Sequence, residues 1–200
     1  MVHCIEQDSL SRRRSIYMLG KLPVSAENCI EETIKDCLTH CPTPFNAQSA
    51  RIIVLLGNYH QQLWQKVLAA MQKILNNTQL QSSKIRIERF AAAHGTILFY
   101  EDKKIIANLK KQFPLYKNNM NVWAQQANGM LQYMIWQALS ENDVGASLQH
   151  YNELIESEVM SWLDLPKTWQ MIAQMPFGSI EQEAGEKNFV PTATRLMVLH

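Results

Sequence analysis

The sequence predicts an α+β layered fold, formed as a single domain by residues 1–200. Hydrophobic residues make up 46% of the chain, a fraction that suits a globular core and is too high for a disordered chain. A length of 200 residues fits one domain. Candidate helices alternate with candidate strands, but the connections are too irregular for a repeated parallel βαβ unit, which favours separate layers of helix and sheet.

A short first helix is predicted over residues 11–19, with Ser11 as its cap and the arginines Arg12–Arg14 in its first turn. Cations at a helix N-terminus oppose the macrodipole, which favours negative charge there. We therefore expect an anionic group beside these arginines.

A second helix is predicted to begin after Ser25, whose hydroxyl could cap it, and to stop before Cys41. Acidic residues fill its first turns, where the macrodipole favours them, and the prolines at 42 and 44 bar its continuation. Its apolar face should consist of Ile30, Ile34, Cys37 and Leu38.

The rest of the chain alternates between strand and helix signals. Apolar and β-branched runs predict strands over 51–56 and 95–100, a strand that begins at Val144, and weaker strands over about 168–174 and 195–199. Helical spacing predicts helices over 60–75, 103–112 and 153–163.

The longest predicted helix covers residues 119–140. Its apolar stripe is Trp123, Ala127, Met130, Leu131, Met134, Ile135 and Ala138, and the reverse side adds Val122, Tyr133 and Trp136. A helix that is apolar on most sides is buried on most sides, either in a large core or at a dimer interface.

Charge and composition exclude several classes of protein. The net charge is +1, so no overall field favours a nucleic-acid or anionic-membrane partner. The sequence contains no apolar run long enough for a transmembrane helix and no apolar stretch typical of a signal peptide at the N-terminus. We therefore expect a cytoplasmic protein. Neither the Rossmann nor the P-loop glycine motif occurs, nor do the G-x-S-x-G and H-E-x-x-H motifs.

The cysteines suggest free thiols. Cys4, Cys29, Cys37 and Cys41 are too few for a disulfide scaffold. Three of them lie near His40, which raises the possibility of a zinc site, but the C-x-x-C knuckle is missing. Buried or partly buried thiols are the favoured interpretation.

The segment Arg12-Arg13-Arg14-Ser15 is the first candidate site. A guanidinium matches phosphate with two parallel hydrogen bonds, so a phosphomonoester is the natural ligand. The alternatives are a solvated basic face and a nucleic-acid patch. Nucleic-acid binding would require more basic residues aligned along one face, and these are not evident.

Two further segments combine polar groups with close backbone approach. The loop Pro44–Arg51 holds Asn46 and Gln48, whose amides could pair with a heteroaromatic ring such as the flavin pyrimidine; ordinary turn chemistry is the alternative. Gly145–His150 follows the long helix, and its small residues allow close approach to the backbone. His150 could act in acid–base chemistry or as a hydrogen-bonded structural residue.

Arg195 is a cation in an otherwise apolar C-terminal segment. It could be an exposed charge at a sheet edge, which is the usual case, or a second phosphate ligand.

Together these motifs resemble the nitroreductase superfamily. The resemblance rests on Arg13-Arg14-Ser15-Ile16-Tyr17, on Phe45-Asn46-Ala47-Gln48-Ser49 about 30 residues later, on the segment that begins at Trp123, and on Gly145–Asn152. The sequence is similar to a short branch that includes the yeast fatty-acid-repression nitroreductases and a copper-induced bacterial nitroreductase. It departs from many relatives at Tyr17, where they carry a second basic residue.

The resemblance implies a central, mostly antiparallel sheet flanked by helices in an intertwined homodimer, with FMN bound between the subunits. The phosphate and ribityl end would be held by Arg13, Arg14, Ser15 and Arg195, the ribityl chain and pyrimidine edge by Asn46 and Gln48, and the ring by the backbone around Leu148, Gln149 and His150.

The implied activity is electron transfer from NAD(P)H to nitroaromatics, quinoline N-oxides or quinones by a ping-pong mechanism, with no catalytic side chain. The alternative is a flavin-binding regulatory or lipid-responsive protein with little turnover.

Overall fold

The computed structural model describes residues 7–199, except for the side chains of residues 7–9. Cys4 and the first six residues of the N-terminal segment considered for a signal peptide lie outside these residues. The described helices are α1 (Gln7–Arg12), α2 (Ala26–His40), α3 (Gly57–Gln72), α4 (Asn77–Ala92), α5 (Lys103–Gln112), α6 (Met120–Glu141) and α7 (Asn152–Trp162). The described strands are β1 (Met18–Gly20), β2 (Ala50–Leu56), β3 (Gly95–Asp102), β4 (Gly145–Ala146) and β5 (Trp169–Gln182).

The strands form an antiparallel sheet in the order β1-β5-β3-β2, and β4 also pairs with β5. All residues of β3 are buried, as expected for a central strand covered on both faces. This arrangement confirms the predicted fold class, a central antiparallel sheet flanked by helices.

Each face of the sheet carries its own core. Side chains alternate along β3, so Ile97 and Phe99 pack with α2 and α6 on one face. Leu98 and Tyr100 pack with α3, α4 and α7 on the other face. The described residues therefore bury apolar side chains on both sides of one sheet.

The N-terminal helix differs from the prediction. No helix covers residues 11–19; α1 ends at Arg12, which lies in its last turn, and Met18 begins β1. A cation in the last turn of a helix is favoured by the macrodipole. The predicted conflict between the arginines and a helix N-terminus therefore does not exist.

Helix α2 begins and ends as predicted, but the predicted side-chain cap at its start does not form. Ser25 occupies the N-cap position with helical backbone angles, and its side chain makes no capping hydrogen bond. Ile30, Ile34 and Cys37 are buried as predicted, whereas Leu38 is exposed. Leu38 lies toward the edge of the apolar face, next to a cavity described below.

The end of the chain was predicted least well. The weak strand predicted at 168–174 is one part of the 14-residue β5, and the strand from Val144 is only two residues long. No strand covers 195–199, because Arg195 closes a 3-10 turn at Thr192–Thr194 and Leu196–Leu199 are exposed. An apolar run predicts burial, but among the residues that the structure describes nothing covers this run.

Helix α4 was not predicted. Its start carries a capping box, in which the Asn76 side chain accepts from the Gln79 backbone and the Gln79 side chain accepts from the Asn76 backbone. That Asn-x-x-Gln pattern, followed by the buried Ile87 and Phe90, was the available signal in the sequence.

The long helix forms as predicted, but its buried face is rotated. It includes the polar Asn128 and Gln132, whereas Val122, Met130 and Tyr133 are exposed. Within the described residues, no helix combines the length and the apolar character needed to cross a bilayer.

Candidate functional site

The three consecutive arginines are held in three different ways. Arg12 forms an ion pair with Asp143, and both side chains are largely exposed. Arg14 donates from Nη2 to the carbonyl oxygen of Gly185, 2.7 Å away. Arg13, between them, packs on aromatic rings of α6. The arginines therefore do not form one continuous basic face.

Arg13 stacks against the long helix. Its Cζ lies 4.5 Å from the centre of the Trp136 ring and 6.0 Å from that of Tyr133. Its Nε is buried without a hydrogen-bond acceptor, and among the described residues no carboxylate forms an ion pair with it. A partly buried guanidinium without a counterion favours the binding of an anion.

Arg13 and Arg14 line a cavity of about 440 Å³ between the β1 segment and the end of β5. Four cations line this arginine cleft, against the two acids Glu183 and Glu186; the cations are Arg13, Arg14, Arg89 and Lys187. Arg89 lies on α4. Because that helix was not predicted, Arg89 was not identified as a candidate site residue. Lys187 follows β5 in an extended segment with no periodicity to mark it.

Ser15 connects the arginine cleft to the segment after α6. It forms a parallel bridge with Ala146, and Ile16 donates its N–H to the Ala146 carbonyl at 2.9 Å. The structure therefore brings together two segments that were predicted separately, Arg13–Ser15 and Gly145–His150.

Hydrogen bonding fixes the direction of the backbone at Leu148–His150. Gln149 donates its N–H to the Gln174 carbonyl at 2.7 Å and accepts from the Gln174 N–H at 2.9 Å. Because backbone groups alternate in direction along an extended chain, the N–H groups of Leu148 and His150 point away from β5. The N–H of Gln149 is therefore used in a hydrogen bond to β5, whereas the N–H groups of Leu148 and His150 face the opposite side.

The loop that carries Asn46 and Gln48 is strained. Phe45, Asn46 and Gln48 have φ angles of 53°, 52° and 46°, values that favour glycine and are unusual for a residue as large as Phe45. Phe45 stacks on Phe113 with ring centres 4.1 Å apart. Such strain persists where the surroundings enforce it, and it clusters at functional sites.

Asn46 and Gln48 line a second cavity of about 520 Å³, separate from the arginine cleft. Its wall includes Ala127, Asn128 and Leu131 of α6, and we call it the amide cavity. Both amide side chains are exposed at its rim. Within one chain, the predicted phosphate ligands and the predicted pyrimidine ligands therefore lie in different cavities.

A buried polar network lies beneath the amide cavity. Asn128 donates from Nδ2 to Oε2 of Glu101 at 3.0 Å and to the Tyr100 carbonyl at 3.1 Å. Gln132 donates to Oδ1 of Asn128 at 2.7 Å. Burial raises the pKa of the Glu101 carboxyl, and the neighbouring Ser49 and Asn128 oppose that shift. This network was not predicted, because its only signal in the sequence is a pair of polar residues on an otherwise apolar helix.

Of the remaining candidates, Cys41 borders the amide cavity, and the others are not among the residues that line either cavity. Arg195 is exposed, and its Nη2 lies 3.4 Å from the Val190 carbonyl. His150 is exposed. Cys29, Cys37 and Cys41 are free thiols, the first exposed and the second buried. Across the part of the chain that the structure describes, no three potential metal ligands cluster.

Comparison with known proteins gives a family. The sequence model of the nitroreductase family matches residues 10–179. Two proteins of Saccharomyces cerevisiae are similar along nearly their whole length. HBN1 is 30% identical over 187 residues, 91% of each chain, and the nitroreductase FRM2 is 28% identical over 185 residues, 92% of each chain.

Solved structures agree with this result. The nitroreductase CinD of Lactococcus lactis, solved in complex with nicotinic acid, is 40% identical with a TM-score of 0.88, covering 96% of this chain and 98% of its own. CinD has also been solved with chloramphenicol and with 4-nitrophenol. A protein of Desulfovibrio desulfuricans in complex with FMN shares the fold at 18% identity, with a TM-score of 0.71 over 96% of this chain and 95% of its own.

Proposed function

This chain belongs to the nitroreductase family, and we propose that it is an FMN-dependent NAD(P)H oxidoreductase that reduces oxidised aromatic compounds as a homodimer. The observation that carries this proposal is the arginine cleft. There the Arg13 guanidinium, whose Nε is buried without a hydrogen-bond acceptor, lies two residues before Ser15, which pairs with Ala146. A flavin mononucleotide has both groups that such a site would bind, a phosphate and a flat ring.

The residues of the arginine cleft fit the phosphate end of FMN. Arg13 and Arg14 would bind it through charge-assisted hydrogen bonds, and Ser15 would donate its hydroxyl. Four cations against two acids in the cleft match the charge of a phosphomonoester. Arg195 would join them from the C-terminal segment, whose exposed apolar side chains would then be covered in the dimer.

The ring would lie against the segment after β4. Because the N–H of Gln149 is already bonded to Gln174, the donor toward the flavin N5 edge would be the N–H of Leu148 or of His150. The direction of the backbone supports this assignment, because it leaves two of the three N–H groups in this segment as candidate donors.

Asn46 and Gln48 would be contributed by the second subunit. The amide cavity adjoins α6 at Ala127–Leu131, whereas Arg13 packs on α6 at Trp136, about 8–14 Å further along the helix at 1.5 Å per residue. A two-fold axis across the middle of α6 would reverse the partner helix and bring one subunit's amide cavity toward the other's arginine cleft. The exposed Met130 and Tyr133 support α6 as the contact surface.

When bound, FMN supplies the hydride chemistry of a ping-pong cycle, in which NAD(P)H is the donor and an oxidised aromatic compound is the acceptor. The protein's side chains would bind and orient the cofactor and the substrates and would exclude water. We assign no catalytic nucleophile. Nitroaromatics, quinoline N-oxides and quinones are the proposed acceptors. The complexes of CinD with chloramphenicol and 4-nitrophenol support a site that admits such rings.

The decisive experiment is a visible spectrum of the purified protein, followed by anaerobic addition of NADH or NADPH. We expect a yellow protein that bleaches within seconds and recovers its colour when a nitroaromatic compound is added. A yellow protein that stays yellow would favour the flavin-binding regulatory or lipid-responsive alternative. A colourless protein that binds no added FMN would contradict the proposal.

A further inference from the structure

Trp136 belongs to none of the sequence motifs described above, yet its ring contacts Arg13, a proposed ligand of the FMN phosphate. One part of its side chain packs against the core cluster between α2, α6 and the sheet, and its ring carries the Arg13 guanidinium at 4.5 Å. The core therefore holds the indole in place, and the indole can in turn restrain the guanidinium that stacks on it.

Unlike its two neighbours, Arg13 has no polar anchor among the described residues. Arg12 is anchored by a carboxylate and Arg14 by a backbone carbonyl. The protein contacts described for Arg13 are the rings of Trp136 and Tyr133. Stacking restrains a long side chain without using its N–H donors, because a planar guanidinium can lie on an aromatic face while its edge stays available.

We propose that Trp136 is a positioning residue, which orients the Arg13 guanidinium so that its donor edge meets the phosphate of FMN. The inference rests on the proposed function. It adds that cofactor affinity depends on a residue that lies outside the lining of the arginine cleft, on the helix proposed to form the dimer.

The test is FMN affinity of the apoprotein, measured by fluorescence titration in wild type, Trp136→Phe, Trp136→Leu and Trp136→Met. A cation–π contact of this kind corresponds to about a 3- to 30-fold change in affinity. We expect Trp136→Leu and Trp136→Met to lose that much, and Trp136→Phe, which keeps an aromatic face, to retain most of the wild-type affinity. The methionine variant serves as the measurement if the leucine variant does not fold.

Trp162→Leu is the matched control. Trp162 is also a half-buried tryptophan with a cation above its ring, since Lys66 Nζ lies 5.1 Å from the ring centre, but it packs in the other core cluster. Its replacement should leave FMN affinity unchanged. A double-mutant cycle with Arg13→Gln tests whether Trp136 acts through Arg13. The loss of FMN affinity caused by Trp136→Leu should nearly disappear once Arg13 is replaced.

Three outcomes would overturn the inference. Unchanged affinity in both aliphatic variants would remove any role for Trp136. An equal loss in the Phe variant would show that ring volume at this position matters and the π-face does not. A loss that is fully additive with Arg13→Gln would show that Trp136 acts by another route. If wild-type apoprotein binds no FMN, the proposed function fails first and this inference fails with it.

Discussion

The imidazole Nδ1 of His60 lies 2.9 Å from the hydroxyl oxygen of Thr96, and both side chains are fully buried. The other ring nitrogen, Nε2, lies 3.1 Å from the carbonyl of Ala91. Because a carbonyl only accepts, Nε2 carries the hydrogen and Nδ1 accepts from Thr96. Thr96 in turn accepts from Nε1 of Trp64 at 3.0 Å, so one neutral tautomer of His60 connects α3 to β3.

This arrangement predicts acid sensitivity. Burial lowers the pKa of His60 from 6.5 to about 4, so between those values the unfolded chain binds a proton that the folded chain excludes. The contribution of His60 to the free energy of unfolding is complete above pH 6.5 and is lost as the pH falls toward 4. Between pH 7.5 and 4.5 the loss should be about 2–3 kcal/mol.

Urea unfolding of wild type and His60→Gln at both pH values checks this prediction. Other groups titrate in the same range, so the relevant quantity is the difference between the two proteins. Glutamine keeps a donor and an acceptor but cannot titrate, and the variant should therefore lose less stability in acid. An identical acid-induced loss in both proteins would contradict the assignment.

The proposed phosphate ligands predict a loss of cofactor affinity. Arg14→Ala and Arg195→Ala each remove a charge-assisted hydrogen bond, and FMN affinity should fall about tenfold or more. Arg12→Ala is the control, because Arg12 pairs with Asp143 at the surface, and its FMN affinity should match wild type. Unchanged affinity in both Arg14 and Arg195 variants would remove the phosphate site and leave the fold assignment standing.

The strained loop predicts opposite effects on stability and on binding. Gln48 has a φ of 46°, which glycine adopts without the steric cost of a side chain, so Gln48→Gly should raise the free energy of unfolding by about 0.5–1 kcal/mol. FMN affinity should fall, since the amide is lost. Gln65→Gly, on the exposed surface of α3, should instead lower stability by about 1 kcal/mol. Equal destabilisation by both changes would show that the loop is not strained.

The exposed face of α6 predicts the dimer contact. Met130 is 46% exposed near the middle of this helix, and Met130→Arg should convert a dimer to monomers in sedimentation velocity experiments. Cofactor affinity should fall with it if both subunits complete each site. Ile74→Arg places the same charge on an exposed apolar residue after α3 and should leave the dimer intact. A Met130 variant that remains dimeric would place the interface elsewhere.

Close backbone approach predicts intolerance at Gly178. A Cβ atom there would lie 2.1 Å from the Gly20 carbonyl oxygen, a backbone atom held by the pairing of β1 with β5. Gly178→Ala should therefore cost about 1–3 kcal/mol or more. At Gly185 an added Cβ meets nothing within 4 Å, so Gly185→Ala should unfold like wild type. Thermal or urea unfolding of the two variants distinguishes a local clash from a general effect of alanine.

Periodicity in the sequence was sufficient for much of the fold. The strand at Ala50–Leu56, the strand at Gly95–Asp102 and the helix at Met120–Glu141 lie where apolar, β-branched runs or helical spacing predicted them. In these segments many of the apolar residues that define the pattern also pack in the core, such as Ile97 and Phe99 of the second strand and Leu131 and Ile135 of the helix. The helix at 77–92 was missed because its apolar residues are sparse and its start is marked by a polar capping box.

The amino-acid sequence identifies the residues that are available for chemistry, whereas the orientation of those residues depends on how the fold packs. Residue types and motif order indicated Arg13, Asn46 and Leu148–His150. Only the structure shows that Arg13 stacks on Trp136, that Gln149 is bonded to Gln174, and that Asn46 lies in a separate cavity. Residue type and local spacing persist in any conformation of the chain, whereas these contacts join residues from 25 to more than 100 positions apart and exist only after the layers pack.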